Sequence, residues 1–349
     1  MNPHDPTQQA DTQADTQAQL INRLIADAGG DPDDFDGQLV RETIAAALKL
    51  VRDDADTGEL KLINRALREL RYALKVFRPY RHARKVTMFG SARTPEQHPD
   101  YRAAELFARQ LADRGWMVIT GAGDGIMKAG HGGAGREGSF GVAIRLPFET
   151  TANEYIAGDN KLITFRYFFT RKLLFVSQAD AVVLFPGGFG THDEGFEVLT
   201  LVQTGKNPVI PLVMVDAPGG DYWTHWDRYI RDHLLDKGMI SPQDLNLYRV
   251  TDSVEDALEE VVGFYRNYHS QRFVGEKLVL RTHRPLAPDQ LERLNHDFAD
   301  LVADGRIEQS GPLEGEAQHL DLNRLAFTST RRDYGRLRLL IDQINSTTP

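Results

Sequence analysis

The sequence predicts an α/β protein: a doubly wound, mostly parallel, Rossmann-like sheet with an N-terminal helical extension and a small C-terminal α+β module. Between residues 83 and 270, short apolar runs alternate with segments of helical periodicity, an order typical of a parallel sheet covered on both faces. Turns that contain glycine follow three of these runs, at residues 90–91, 121–125 and 186–190. Beyond residue 272 the order changes to strand, helix, strand, strand, helix.

Two segments precede the sheet. Residues 1–18 are rich in Gln, Asp, Thr and Ala without periodicity, which predicts a disordered tail. In residues 19–82 the apolar spacing turns helical, so we expect a helical extension. The helical spacing does not distinguish two roles for this extension: a cap on the following domain and an arm that contacts another molecule.

The central domain, residues 83–270, is built from buried strands and the helices between them. The predicted strands cover residues 86–89, 116–120, 140–145, 162–165, 181–185 and 208–215. The predicted helices cover residues 101–114, 126–136, 222–235 and 254–268, with two more around Arg171 and Glu194 and a loop at 147–160. Ligands of such sheets bind at the carboxyl ends of the strands, where the glycine-containing turns lie.

The C-terminal module, residues 271–349, has predicted strands at 277–281, 306–309 and 320–328 and predicted helices at 289–302 and 334–344. Its β-α-β-β-α order resembles an ACT-like or ferredoxin-like half. Modules of that kind bind small regulators or mediate dimers, an expectation that rests on fold analogy alone. One stripe of apolar residues on its first helix is expected to be core: Leu291, Leu294, Phe298 and Leu301.

Composition excludes several classes of function. The 349 residues contain no cysteine, which excludes disulfides, iron–sulfur clusters, thiolate zinc sites and a thiol nucleophile, and favours a cytoplasmic protein. The polar N-terminus lacks the apolar region of a signal peptide, and no apolar run approaches the roughly 18 residues of a membrane helix. A net charge of −9 argues against general binding to nucleic acid.

The most informative segment is 186–194, with the sequence PGGFGTHDE, because it joins a buried strand to a helix. Gly187, Gly188 and Gly190 lack the Cβ atoms that would keep backbone N–H groups from an anion, and a helix N-terminus offers unpaired donors. The segment therefore predicts a phosphate-binding loop with Glu194 beside it. Alternatively, Thr191 and Glu194 have the spacing of a capping box, which needs no ligand.

The whole string matches the PGGxGTxxE signature of the LOG (Lonely Guy) family, and the chain resembles that family's phosphoribohydrolases. The resemblance extends to Arg171 and Lys172, which stand where the family carries an Arg-Lys pair. Many members read Met-His-Glu-Arg-Lys there, so Phe168 and Thr170 replace Met and Glu in this chain. The resemblance implies cleavage of the base from a nucleoside 5′-monophosphate such as AMP or a cytokinin riboside monophosphate, without a cofactor, in a homodimer or larger homo-oligomer.

The resemblance also assigns roles to residues. It implies that Glu194 and Arg171 are catalytic and that the glycine-rich loop with Thr191 holds the 5′-phosphate. The remaining substrate-binding candidates are Gly90, Ser91, Gly121, Gly123, Lys172 and Glu197.

Several of these residues also have plainer interpretations. Ser91 fits the start of a polar loop, and Arg171 or Lys172 fits a solvated surface charge. Glu197 shares a helix face with Glu194, so each carboxylate raises the proton affinity of the other. His192 and Asp193 are expected to be exposed first-turn residues. No metal site is predicted, because no histidine or acidic residue repeats a metal-ligand spacing.

Three other functions compete with the phosphoribohydrolase interpretation. The turn at 121–125 suggests dinucleotide binding, but Ile126 stands where that fingerprint requires glycine and Arg145, not an acid, ends the next strand. Lysine decarboxylation is discounted because no strand-loop-lysine arrangement for pyridoxal phosphate is evident. A nucleotide-binding regulator or carrier without turnover remains the alternative to an enzyme.

Overall fold

The computed structural model describes residues 6–145 and 152–346. The chain divides into two compact units, Met1–Arg68 and Glu69–Pro349. The boundaries expected near residues 82 and 270 both fall inside the second unit. A separate catalytic domain and C-terminal module therefore remain a prediction.

The first unit is helical. It contains α1 (Pro6–Asp27), α2 (Phe35–Arg52) and the first part of α3 (Thr57–Phe77). The Asp34 side chain caps α2 by accepting from the Gly37 N–H at 2.6 Å, and Ile21 and Ile25 are buried. The disordered tail expected over residues 1–18 differs from this description, because the backbone is helical from Pro6 onward. Ala and Gln, which abound there, are good helix formers.

The fold-class prediction is confirmed by a seven-stranded sheet in which every strand pair is parallel. Its strands are β1 (Lys85–Phe89), β2 (Met117–Thr120), β3 (Ser139–Ile144), β4 (Leu162–Phe165), β5 (Ala181–Leu184), β6 (Leu212–Val215) and β7 (Arg249–Thr251). The strand order is β4-β3-β2-β1-β5-β6-β7. All residues of β1, β2, β5 and β6 are buried, as expected of strands covered on both faces.

Helices connect these strands. They are α4 (Pro99–Ala112), α5 (Ile126–Ala134), α6 (Phe168–Ser177), α7 (Phe189–Gln203), α8 (Tyr222–Tyr229) and α9 (Val254–Gly263). A π-helical turn, Ile230–Leu235, extends α8 over the rest of the predicted helix. Of the loop expected at residues 147–160, the first five residues lie outside the described ones.

The structure differs from the predicted elements of this domain most clearly at two boundaries and at one strand that was missed. Strand β6 begins at Leu212 rather than at residue 208, because Pro208 and Pro211 cannot donate to a ladder. Strand β7 was not predicted. The helix expected over 254–268 ends at Gly263, and Tyr268 begins another strand instead.

That strand changes the description of the C-terminal module. The module consists of β8 (Tyr268–Val274), β9 (Lys277–Thr282), α10 (Pro288–Asp297), β10 (Val302–Ser310), β11 (Asn323–Ser329) and α11 (Tyr334–Ser346). Its antiparallel sheet has the order β10-β11-β9-β8. The element order is therefore β-β-α-β-β-α, one strand more than expected, and the expected boundary at residue 271 falls inside β8. Of the four predicted core positions, Leu294, Phe298 and Leu301 are buried, and Leu291 is partly buried against the same core.

Helix α11 is fastened to the end of the parallel-sheet domain through Asn345. The Asn345 Oδ1 atom accepts from the N–H groups of Asn267 and Tyr268, both at 2.9 Å, and its Nδ2 donates to the Phe264 carbonyl at 2.6 Å. All three contacts are buried. Among the described residues, no helix has both the length and the apolar character needed to cross a membrane.

Candidate active site

A cavity of about 310 Å³ lies at the carboxyl ends of β1 and β5. These strands are neighbours, yet the chain runs from β1 outward through β2, β3 and β4 before it returns to β5 on the other side. That reversal is the switch point at which parallel α/β sheets bind ligands. The lining residues are Phe89, Gly90, Ser91, Ala92, Arg93, Met127, Phe168, Arg171, Gly188, Gly190, Thr191, Asp193 and Glu194.

The loop after β5 opens directly into α7. The helix begins at Phe189 with Gly188 as N-cap, and no side chain caps it. Thr191 is thus the third residue of the helix rather than its cap, so the capping-box interpretation does not hold. The Thr191 and His192 N–H groups donate to the Gly188 carbonyl at 3.0 and 3.2 Å, whereas those of Phe189 and Gly190 have no acceptor among the described residues. The helix dipole favours negative charge at this end.

The three loop glycines fall into two kinds. A Cβ atom on Gly187 would lie 2.1 Å from Thr191 Oγ1 and 3.0 Å from the Ser91 N atom, so packing alone requires glycine there. A Cβ atom on Gly188 or Gly190 would meet nothing within 4 Å. Glycine at these two positions leaves room for a ligand to approach the backbone.

Glu194 lies one turn into α7 and lines the cavity. Its side chain is only 7% exposed, and its Oε2 atom is buried without a hydrogen-bond partner among the described residues. Burial raises the pKa of Glu194 to about 7, although Lys172 and Arg171 act to lower it. A buried carboxylate with an unpaired oxygen is costly unless a ligand pairs with it.

Arg171, on α6, lines the cavity and hydrogen-bonds to β3. Its Nε donates to the Val142 carbonyl at 3.0 Å, and its guanidinium carbon lies 5.0 Å from the centre of the Phe175 ring. A Cβ atom on Gly121 would lie 2.5 Å from the Arg171 Nη2 atom. The half-buried Arg171 is therefore no solvated surface charge. Glycine at position 121 leaves the space that the Arg171 guanidinium occupies.

Lys172 does not line the cavity. Its Nζ atom pairs with Asp193 Oδ2 at 2.9 Å and with Glu197 Oε2 at 2.7 Å. Burial lowers the pKa of Lys172, but hydrogen bonds to these two carboxylates raise it. The carboxylates together outweigh burial, so the net shift of the pKa is upward. Glu197 is likewise outside the lining and acts on Glu194 through its charge.

Of the other predicted substrate-binding residues, two line the cavity and two do not. Gly90 and Ser91 line the cavity, and the Ser91 N–H donates to the Pro186 carbonyl at 3.0 Å, which joins the loops after β1 and β5. Gly121 and Gly123 are not among the residues that line the cavity. The Gly123 carbonyl accepts from Asn153 Nδ2 at 2.9 Å.

Sequence reasoning missed the contributions of Arg93, Glu69 and Asp193. Arg93 lines the cavity as a second arginine, and its place four residues after the end of β1 was the available signal. Glu69, on α3, is buried and accepts from the Thr170 hydroxyl and the Arg166 N–H, both at 2.8 Å. The Glu69 carboxylate thus contacts the Thr170 hydroxyl. Asp193, expected to be merely exposed, also reaches the cavity wall.

A lysine decarboxylase requires an amine free to form a Schiff base with pyridoxal phosphate. No lysine is among the described residues that line the cavity, and Lys172, which follows Arg171 in the chain, is a charged ammonium paired with two carboxylates. The residues present do not fit that cofactor. No group of three or more His, Asp or Glu in the described ranges is arranged to hold a metal ion.

Comparison with known proteins agrees with these features. The family model described as possible lysine decarboxylase matches residues 124–261. A cytokinin riboside 5′-monophosphate phosphoribohydrolase from Mycobacterium tuberculosis is 34% identical over 160 residues, covering 45% of this chain and 81% of the relative. The protein of that name from Mycobacterium marinum is 28% identical over 46% of this chain and 86% of its own length. A probable one from Oryza sativa subsp. japonica is 26% identical over 47% and 70%. The chain belongs to the LOG family.

Proposed function

We propose that the protein hydrolyses the N-glycosidic bond of a nucleoside 5′-monophosphate, giving a free base and ribose 5-phosphate. The observation that carries the proposal is the buried Glu194 carboxylate, whose Oε2 atom has no hydrogen-bond partner among the described residues, next to an uncapped helix N-terminus. The helix end suits a phosphate, whereas the carboxylate suits a positive charge. A 5′-phosphorylated ribose provides both, because positive charge develops on its anomeric carbon as the base leaves.

The negative phosphate and the positive charge that develops on C1′ each meet a complementary part of the site. The 5′-phosphate binds the N–H groups of the loop at Gly188 and Gly190, which orients the sugar by binding energy remote from the bond that breaks. As the bond from C1′ to the base nitrogen breaks, its electron pair leaves with the base, which takes up a proton. Water adds to C1′ and gives a proton to Glu194, whose negative charge also stabilises the oxocarbenium-like transition state. Glu194 then releases that proton to solvent, which supplies the proton that the base takes up.

Arg171 supports this arrangement from the other wall. Its guanidinium lines the same cavity as Glu194 and acts to lower the pKa of that carboxyl, which keeps part of it ionised near neutral pH. A planar guanidinium also suits hydrogen bonds to phosphate or ribose oxygens. We assign Arg171 to positioning the substrate and the carboxylate together.

We also propose the substrate class and the assembly. The three relatives are named for cytokinin riboside 5′-monophosphates, which favours AMP or an N-substituted adenine nucleotide as substrate. Phe168, Phe169 and Leu173 on α6 are each more than half exposed, and a patch of this kind favours a homodimer or larger assembly.

The test is to incubate the purified protein with a panel of nucleoside 5′-monophosphates and to separate the products by chromatography. The proposal predicts free base and ribose 5-phosphate in equal amounts. Tight binding of a monophosphate that is recovered unchanged would contradict the proposal and favour the alternative, a nucleotide-binding regulator or carrier.

A further inference from the structure

The hydroxyl of Tyr222, the first residue of α8, lies between two groups of the loop–helix segment that we assign to phosphate binding. It is 2.5 Å from the carbonyl oxygen of Gly187 and 2.6 Å from Nε2 of His192. Tyr222 does not line the cavity and is not part of the proposed chemistry.

The donors in this arrangement are fixed by chemistry. A carbonyl oxygen only accepts, so the single proton of the Tyr222 hydroxyl goes to Gly187. The hydroxyl oxygen then accepts from His192, whose Nε2 must carry a proton. His192 remains a donor when its second nitrogen is also protonated, so the arrangement is insensitive to the charge of the imidazole.

Holding the Gly187 carbonyl also orients the next N–H group. The peptide bond is trans, so the carbonyl of Gly187 and the N–H of Gly188 point in opposite directions. With the carbonyl turned toward Tyr222, the Gly188 N–H is turned away from that residue. Gly188 lines the cavity and Tyr222 does not. Rotation of this peptide between two glycines is little hindered, and it would present a carbonyl oxygen to a phosphate.

Tyr222 is itself held in place. The next residue, Trp223, is fully buried, and its N–H donates to Asp216 Oδ2 at 3.0 Å. The His192 ring packs on both aromatic residues, with centroids 5.9 Å from the Tyr222 ring and 5.6 Å from the Trp223 ring. The hydroxyl therefore belongs to a rigid part of the molecule rather than to a mobile side chain.

We propose that Tyr222 is a positioning residue that locks the peptide between Gly187 and Gly188 with its N–H donor toward the phosphate. This inference rests on the proposed phosphate-binding role of the loop. It assigns to α8, a helix outside the cavity, part of the affinity for the 5′-phosphate.

The test compares Tyr222→Phe with Tyr229→Phe, a change of a half-exposed tyrosine on the same helix. Calorimetric titration with ribose 5-phosphate should give a Kd about tenfold higher for Tyr222→Phe, or about 1.4 kcal/mol, and an unchanged Kd for Tyr229→Phe. With a nucleoside 5′-monophosphate, KM should rise by the same factor while kcat stays within about twofold, because the lost interaction is made equally in ground and transition states.

A Kd for Tyr222→Phe equal to that of the wild type would overturn the inference, whatever the effect on thermal stability. The binding measurement separates this outcome from failure of the proposed reaction. If the wild type binds ribose 5-phosphate without cleaving any nucleotide, only the reaction fails, and the ratio of the two Kd values still decides the role of Tyr222. If the wild type binds no ribose 5-phosphate, the result contradicts both the proposed phosphate site and the role of Tyr222.

Discussion

Replacing Glu194 by Gln keeps the size of the side chain and removes its charge, so activity and stability should change in opposite directions. Burial of the side chain, which is only 7% exposed, raises the carboxyl pKa from its ordinary value of 4.5 to about 7. A difference of about 2.5 units corresponds to roughly 3 kcal/mol at 1.36 kcal/mol per unit.

The sign follows from the direction of the shift. The folded state has the higher pKa, so the stability contributed by the protonated carboxyl is complete below pH 4.5 and is lost as the pH rises through about 7. Gln cannot ionise and escapes that loss. Glu194→Gln should therefore raise the free energy of unfolding by up to about 3 kcal/mol at pH 8, but by less than about 1 kcal/mol at pH 5.

Urea unfolding at these two pH values measures the stability change, and base release from a nucleoside 5′-monophosphate measures the activity change. We expect turnover to fall by at least 10², or about 2.7 kcal/mol of transition-state stabilisation. In the wild type, kcat/KM should rise with pH up to about 7 and then level off, since the carboxylate is the active form. Near-native turnover of Glu194→Gln, or lower stability at pH 8, would refute the reasoning.

Three further predictions follow from the same site. A free nucleoside should have a kcat/KM at least about 100-fold below that of its 5′-monophosphate, because the loop has nothing to hold; comparable values in a base-release assay would contradict the phosphate site. Glu69→Gln should lower the free energy of unfolding by about 1–3 kcal/mol and reduce kcat/KM, because it weakens the hydrogen bonds that hold the start of α6. Urea unfolding and kinetics that match those of the wild type would contradict this prediction. Light scattering at micromolar concentration should give at least twice the 39.2 kDa of one chain, and Leu173→Glu should reduce it; a monomeric wild type would refute the proposed assembly.

The parallel sheet could be predicted because its central strands are continuous apolar runs. Strands β7 and β8 could not, for a physical reason. Strand β7 is a three-residue edge strand that starts with the exposed Arg249. Strand β8 is also an edge strand, and its polar, mostly half-buried residues read as the end of a preceding helix. An edge strand needs no continuous apolar sequence, since only part of it faces the core.

The candidate site divides in the same way. Glu194 and the loop glycines were found because they lie in one short segment with a recognisable spacing. The contact between Glu69 and Thr170 joins residues 101 positions apart, and Tyr222 meets Gly187 across 35 positions. Such contacts are set by how helices pack on the sheet, and no local pattern in the chain encodes them.

The most direct test of the central claim is a time course of AMP with the wild type and with Glu194→Gln, in which adenine, ribose 5-phosphate and bound AMP are all quantified. We predict adenine and ribose 5-phosphate in equal amounts from the wild type, and AMP that stays bound but intact in the variant. Release of inorganic phosphate and adenosine instead, or equal rates for the two proteins, would contradict the claim that Glu194 drives cleavage of the glycosidic bond.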